Sequence, residues 1–191
     1  VTSEVLSQSI DRPQRRPAVL WPILLVWLLF AGVSFLGVAV PGVNEPHYVC
    51  KARSLVDPDW CDRDFFLRSA NVHWCFLLLT GWWTQWSSFG LTVIVGRVLS
   101  ALVLALGWNR ICGAVGLQGW RGVAAAGLFA LLTQSGSFSG EWILGGFESK
   151  VPAWGLGWAA LGYWIDGVSQ WRPRMLVMAG LCCGLSLALH P

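Results

Sequence analysis

Charged residues are scarce in this chain. They form 12% of its 191 residues, about half the share usual in a water-soluble domain. Set beside 55% hydrophobic residues, that shortage argues against an ordinary soluble globular protein. Thirteen Lys and Arg against ten Asp and Glu leave +3, too weak and too dispersed for a nucleic-acid surface, which gathers basic residues on one face. Nucleic acid is therefore not an expected partner. No Cys-x-x-Cys occurs, and His47, His73 and His190 are scattered, so no specific metal-ligand pattern appears and no metal site is assigned. A divalent cation held by carboxylates stays compatible with the sequence. Neither a P-loop nor a dinucleotide glycine fingerprint is present. No internal repeat of the kind inverted-repeat transporters carry is visible either.

What the chain has instead is apolar length. Residues 18–40 form a run of 23 without a charge, which as a helix reaches about 34 Å, enough for a hydrocarbon core of about 30 Å. Arg12, Arg15 and Arg16 precede it, and no small-residue cleavage site ends it, so it reads as an uncleaved anchor with the N-terminus inside. Further apolar stretches cover residues 72–86, 91–111, 120–138, 151–168 and 175–191. Residues 72–86 are short and contain His73, Thr84, Gln85 and four tryptophans, Trp74, Trp82, Trp83 and Trp86, a composition suited to the headgroup layer.

Charge orients the rest. If residues 72–86 lie on the surface, Arg110, Arg121, Arg172 and Arg174 share the inner side with the N-terminal arginines, as the positive-inside tendency requires; if they cross, all four move outside. The expected fold is thus all-α, a polytopic integral membrane helical bundle. A cytoplasmic tail, residues 1–17, precedes a transmembrane region, 18–191. That region has spans at about 18–40, 91–111, 120–138, 151–168 and an incomplete 175–191, with an outer loop, 41–90, carrying interfacial helices. The chain starts with Val and its last apolar run is short, so it reads as a fragment. Gly113, Gly116 and Gly119, and Gly155 with Gly162, suit close approach of spans.

This layout collects Glu45, Asp57, Asp59, Asp62, Asp64, Glu141 and Glu148 outside, seven of ten acidic residues. The four aspartates read as solvating loop charges. Glu45 lies in Asn44-Glu45-Pro46-His47-Tyr48 at the membrane boundary, where partial desolvation could raise a carboxylate toward a working base; its alternative is a charge that fixes the end of the first span. Gly145-Gly146-Phe147-Glu148-Ser149-Lys150 reads either as a flexible loop approaching a substrate closely or as a solvated ion pair, with Pro152 in the first turn of the next helix. Glu141 is a weaker candidate. Arg97, ionisable within an apolar stretch, calls for an outer carboxylate or a phosphate, or else snorkels. Cys50 and Cys61 could form a disulfide in an oxidising compartment.

These motifs resemble those of the GT-C class of glycosyltransferases, which take a sugar from a polyprenyl-phosphate carrier and include protein O-mannosyltransferases and the aminoarabinose transferase of lipid A. An Asp-Glu-x-x-Tyr motif opens the first outer loop there, and Asn44-Glu45-Pro46-His47-Tyr48 is similar, with Asn in place of Asp. Arg97-Val98-Leu99-Ser100-Ala101 resembles the start of the second span, and Glu141 or Glu148 stands where a second outer-loop acid is common. A set of uncharacterised bacterial membrane proteins is similar too. The resemblance implies a bacterial inner-membrane transferase, here its N-terminal part, acting at the outer face on membrane lipid and lipid-linked sugar. Glu45 would be its base. Asn44, His47, Tyr48, Arg97, Glu148 and Lys150 would bind substrate, with Arg97 or Lys150 stabilising the departing phosphate. The alternative is a non-enzymatic polytopic protein, a transporter or a scaffold.

Overall fold

Proline stands in the first turn of four helices, at Pro22, Pro46, Pro152 and Pro173, where its missing N–H would find no intrahelical acceptor anyway. Polar caps start two more: the Ser88 hydroxyl accepts from the Leu91 N–H at 3.2 Å and the Asp64 carboxylate from the Leu67 N–H at 3.0 Å. The computed structural model describes residues 20–42, 44–135 and 142–191, apart from the side chain of Ser135. The described residues form helices and connecting turns without strands: α1 (Trp21–Gly37), α2 (Glu45–Val56), α3 (Phe65–Arg68), α4 (Trp74–Thr84), α5 (Phe89–Ala114), α6 (Trp120–Ser135), α7 (Lys150–Ser169) and α8 (Pro173–Leu189). The expected all-α class holds. The tail, with Arg12, Arg15 and Arg16, and Glu141 lie outside the described residues.

Five long helices run up and down beside one another, and α2, α3 and α4 gather at one end. Three contacts fix the opposite end. Trp21 at the start of α1 packs on Trp120 at the start of α6, ring centroids 4.6 Å apart. Arg110 late in α5 bonds Asp166 late in α7 at 2.6 Å and the Gly162 carbonyl at 3.0 Å. Gly116 and Gly119, at φ +79° and +61°, turn the chain between α5 and α6 through backbone that favours glycine. At the other end, α4 packs on α2 and reaches α8. With 11 residues, α4 is about 16 Å long, half a hydrocarbon core.

Small residues set the central contact. A Cβ on Gly155 would lie 2.7 Å from the Val103 backbone, one on Gly162 would lie 2.9 Å from the Arg110 carbonyl, and one on Gly107 would overlap the Gly155 carbonyl oxygen. The α5 and α7 backbones therefore touch, as expected for Gly155 and Gly162. Gly113 meets nothing within 4 Å, so it does not serve close packing, and Gly116 and Gly119 serve the turn instead. Around this seam Val26, Phe30, Ala101, Leu104, Ala105, Ala126 and Ala130 form the larger core. Phe30, Trp108, Phe129 and Trp158 interlock there edge to face or tilted.

The outside of the bundle is apolar as well. Leu24, Leu28, Leu99, Leu106, Leu131, Leu161, Trp164, Val177 and Leu185 are all exposed. Among the described residues one helix, α5, is long and apolar enough to cross a membrane; α1 and α8 are apolar and shorter. Its 26 residues measure about 39 Å.

The α5–α7 seam predicts a contrast between two glycines of one helix. Gly107→Ala lowers stability by about 3 kcal/mol or more, because overpacking here drives a methyl into backbone. Gly113→Ala, facing open space, is neutral or stabilising by about 0.5–1 kcal/mol. Thermal unfolding of the two variants in detergent micelles checks the difference.

Candidate functional site

Arg97 sits in the third turn of α5 with 1% of its surface exposed. A guanidinium has five N–H donors, and each has an acceptor. Nε donates to Glu45 Oε1 and Nη2 to Glu45 Oε2, both at 2.7 Å. Nη1 donates to the carbonyls of Ser34 at 2.6 Å and Val38 at 2.9 Å, and Nη2 also to that of Ala39. Those three carbonyls lie at and just beyond the end of α1, where a helix leaves C=O groups unpaired and carries partial negative charge. Arg97 therefore caps α1 from another helix.

Glu45 is the first residue of α2, where a carboxylate suits the positive helix end. It is fully buried. Besides the guanidinium, it accepts the backbone N–H groups of Gly42 and Phe147, which fills about all four acceptor positions of a carboxylate. Glycine makes room: a Cβ on Gly146 would lie 3.0 Å from Glu45 Cγ, and one on Gly96 would overlap the Phe147 ring. The Gly145-Gly146 loop does approach another group closely, but that group is Glu45. The void beside the pair, lined by residues including Ser34, Arg97, Ser100 and Gly145, has a volume of about 10 Å³, room for no more than one water.

Burial pushes the Glu45 carboxyl up. Hydrogen bonds from Arg97, Gly42 and Phe147, together with the guanidinium charge, outweigh it and hold the group below its ordinary value. The expected rise toward a working base does not occur, because desolvation here comes with four donors. Arg97 does find a carboxylate partner, Glu45.

A second polar group adjoins the first. Glu148 takes Asn44 Nδ2 on Oε1 at 3.2 Å and Lys150 Nζ on Oε2 at 3.0 Å. Both side chains of this ion pair are largely buried, 5% and 7% exposed, so the solvated-pair reading of this loop does not hold. Unlike Glu45, Glu148 keeps acceptor positions open on its oxygens among the described contacts. Next to it, the Ser149 hydroxyl meets His190 Nδ1 at 3.0 Å. The His190 ring stacks on His73, centroids 4.8 Å apart and planes 6° from parallel, and Tyr48 lies 5.7 Å from His73. Tyr48 also packs on Phe76. His47 is exposed and faces Phe66 across α2, at 5.2 Å.

Of the residues singled out in the sequence, Asn44, Glu45, Arg97, Glu148 and Lys150 thus converge, with Tyr48 at the edge and His47 turned away. Sequence reasoning missed Ser149, His73 and His190, which follow no periodicity and lie 117 positions apart at the widest. It also missed buried Lys51, whose ammonium bonds the Phe66 carbonyl at 3.1 Å and the Ser69 hydroxyl, and which burial pushes down. Cys50 and Cys61 are free thiols; burial, then Cys61 and Asp64, push the Cys50 thiol up. No group of three or more metal-ligating side chains occurs among the described residues. A wider apolar groove of about 470 Å³ lies elsewhere, along Leu28, Gly32, Leu36 and Gln134 between α1 and α6. Compared with protein-family models, curated proteins and solved structures, the chain matches none.

Removing one partner of the buried pair strands the other, so Glu45→Gln should cost about 3–5 kcal/mol of stability at neutral pH. A carboxylate held below its ordinary value stabilises the fold above the unfolded pKa and loses that contribution as pH falls through the folded one. The gap in unfolding temperature between wild type and Glu45→Gln therefore narrows on acidification below the usual carboxylate range, which a pH series of melts measures.

Proposed function

We propose that the chain is the membrane-embedded part of a transferase that uses a polyprenyl-phosphate-linked sugar at the outer face of a bacterial inner membrane, with its chemistry centred on Glu148 and Lys150. The observation that carries this reading is the chain of contacts Asn44–Glu148–Lys150, which joins the segment before α2 to the start of α7 beside α2–α4.

The bilayer setting draws support from both ends of the bundle. Exposed Trp74, Trp82, Trp83 and Trp86 ring the end that holds α2–α4; exposed Trp120 and Trp171 mark the other, with Arg121, Arg172 and Arg174 near them in the sequence. Two aromatic belts separated by an apolar, leucine-covered wall suit a membrane protein. Arginine at the far end supports a cytoplasmic placement of that end. The length of α4 favours a helix lying on the surface over one that crosses.

In this reading Glu45 and Arg97 hold the site together and do not react, since every donor and acceptor they own is occupied. Glu148 takes the proton of an acceptor hydroxyl while the acceptor oxygen bonds to the anomeric carbon. The bond from that carbon to the phosphate oxygen breaks, and the lipid phosphate leaves with the electron pair. Lys150 holds its negative charge. The incoming phosphate draws Lys150 away from Glu148, which frees the carboxylate to act as base. Asn44 keeps Glu148 oriented as that happens.

This exchange predicts opposite effects at neighbouring positions. Binding of polyprenyl phosphate to the chain in nanodiscs weakens at least about tenfold in Lys150→Met, which loses a charge-assisted hydrogen bond. In Glu148→Gln binding is retained or tighter, because Lys150 no longer has the Glu148 carboxylate to leave, while sugar transfer is lost. Unchanged affinity in Lys150→Met removes the transferase reading and favours a non-enzymatic membrane protein. Orientation is tested separately with an impermeant thiol reagent on vesicles: native Cys61 should react from outside, and Gln118→Cys from inside alone. Both positions are exposed, whereas Cys112 is buried.

A further inference from the structure

The pairing of His73 with His190 joins two parts of the molecule that are otherwise far apart in sequence. His73 precedes the first turn of α4, within the surface layer, and His190 follows the last turn of α8. Their rings stack face to face. His190 in turn holds the Ser149 hydroxyl, between Glu148 and Lys150. A neutral stack of this kind is a favourable aromatic contact; with both rings protonated it becomes two like charges within 5 Å.

We propose that His73 and His190 form a proton-operated latch, closed at neutral pH, that holds α4 and α8 together over the 142–149 loop and opens as pH falls. This goes beyond the transferase reading and does not depend on it.

Among the described residues no carboxylate forms an ion pair with either ring. From α2 the neighbour is Tyr48, while His47 faces Phe66 and Lys51 is bound to the Phe66 carbonyl and Ser69. From the loop come Glu148 and Lys150, paired with each other. On α5, Arg97 is fully used by Glu45 and the α1 carbonyls. On α8 no charged residue stands between Arg174 and His190. On α4 itself the closest titratable group in sequence is exposed Cys75.

The closed latch also leaves groups unsatisfied. His73 Nδ1 and Asn71 Oδ1 are two of the three buried side-chain polar atoms without a hydrogen-bond partner among the described residues. Both lie in the segment before α4, and opening would hydrate them. The local equilibrium is thereby poised where a proton can shift it. Burial, then the charge of His190, push the His73 imidazole below its ordinary value. The sign follows: closed His73 binds its proton more weakly than open His73. Closure is favoured above the open-state pKa, near about 6.5, and is lost as pH falls below it.

The test is hydrogen–deuterium exchange on the full chain in nanodiscs at pH 7.5 and pH 5, corrected for intrinsic exchange. Amides of residues 74–78 should lose at least tenfold protection at pH 5, while the central turns of α5 keep theirs. His73→Phe keeps a ring for the stack and removes the titration, so its protection at pH 5 should match that at pH 7.5. Unchanged wild-type protection, or equal loss in wild type and His73→Phe, overturns the latch. If His73→Phe does not fold, NMR titration of the two imidazoles decides instead: coupled titration with one ring below its ordinary range supports the latch, and two independent ordinary titrations refute it. Polyprenyl phosphate binding is measured apart from this, so the latch and the transferase reading fail separately.

Discussion

Five hydrogen bonds from one guanidinium determine where four segments of this protein end or begin. Arg97 takes the last carbonyls of α1 and both oxygens of Glu45, and Glu45 takes the backbone of Gly42 and Phe147. The end of α1, the start of α2, the third turn of α5 and the loop before α7 are therefore bound to a single ion pair. A charge inside apolar surroundings is tolerated when its whole hydrogen-bonding capacity is met, and here it is met mostly by backbone. The backbone positions are as constrained as the side chains: glycine at 146 lets the loop reach the carboxylate, and glycine at 96 lets the Phe147 ring lie on α5.

That constraint divides the bundle along its length. Between the ends, helices meet through small residues and aromatic rings, with Gly107 and Gly155 bringing α5 and α7 to backbone contact. Such packing needs little charge and leaves leucine facing outward, consistent with an apolar surrounding in the proposed membrane setting. Polar interactions concentrate at the two ends. Arg110, Asp166 and Tyr163 close one end. The other carries both Glu45–Arg97 and Asn44–Glu148–Lys150. Segments α2–α4 cover that end as the chain returns from the finish of α1 to the start of α5 at the same end of the bundle.

Much of this was legible in the sequence, and the reasons differ by element. The long apolar runs gave the five long helices to within a few residues, because a run of that length without charge has few other stable states. The separate status of residues 72–86 was legible from their shortness and their tryptophans. The meeting of Glu45 with Arg97 was half legible: an arginine inside an apolar run demands a partner, but which carboxylate answers it was not fixed by position along the chain. Its chemical state was not legible. Whether burial raises or lowers a carboxylate depends on how many donors arrive with it, and one of those donors is the N–H of Phe147, about a hundred residues away. The same limit hid Ser149, His73 and His190, which meet through the packing of α4 against α8, without a motif. The glycines divide the same way: Gly155 and Gly162 lie at a helical spacing that marks a face, whereas the open surroundings of Gly113 depend on what packs beside it.

Glu45 and Glu148 start from the same chemistry and diverge through their neighbours. Two carboxylates in one site usually differ in role because their environments differ. Glu45 is bound by a fixed fork of donors and by two backbone groups in the segments that precede α2 and α7. Glu148 is bound by one ammonium on a flexible stem and one side-chain amide, either of which can turn to another acceptor with little change elsewhere. A group that must take up a proton during a reaction has to lose part of its shell at modest cost. By that criterion the better-conditioned acid for catalysis in the proposed reading is the one in the second loop, and the acid in the first loop fixes the frame within which it moves.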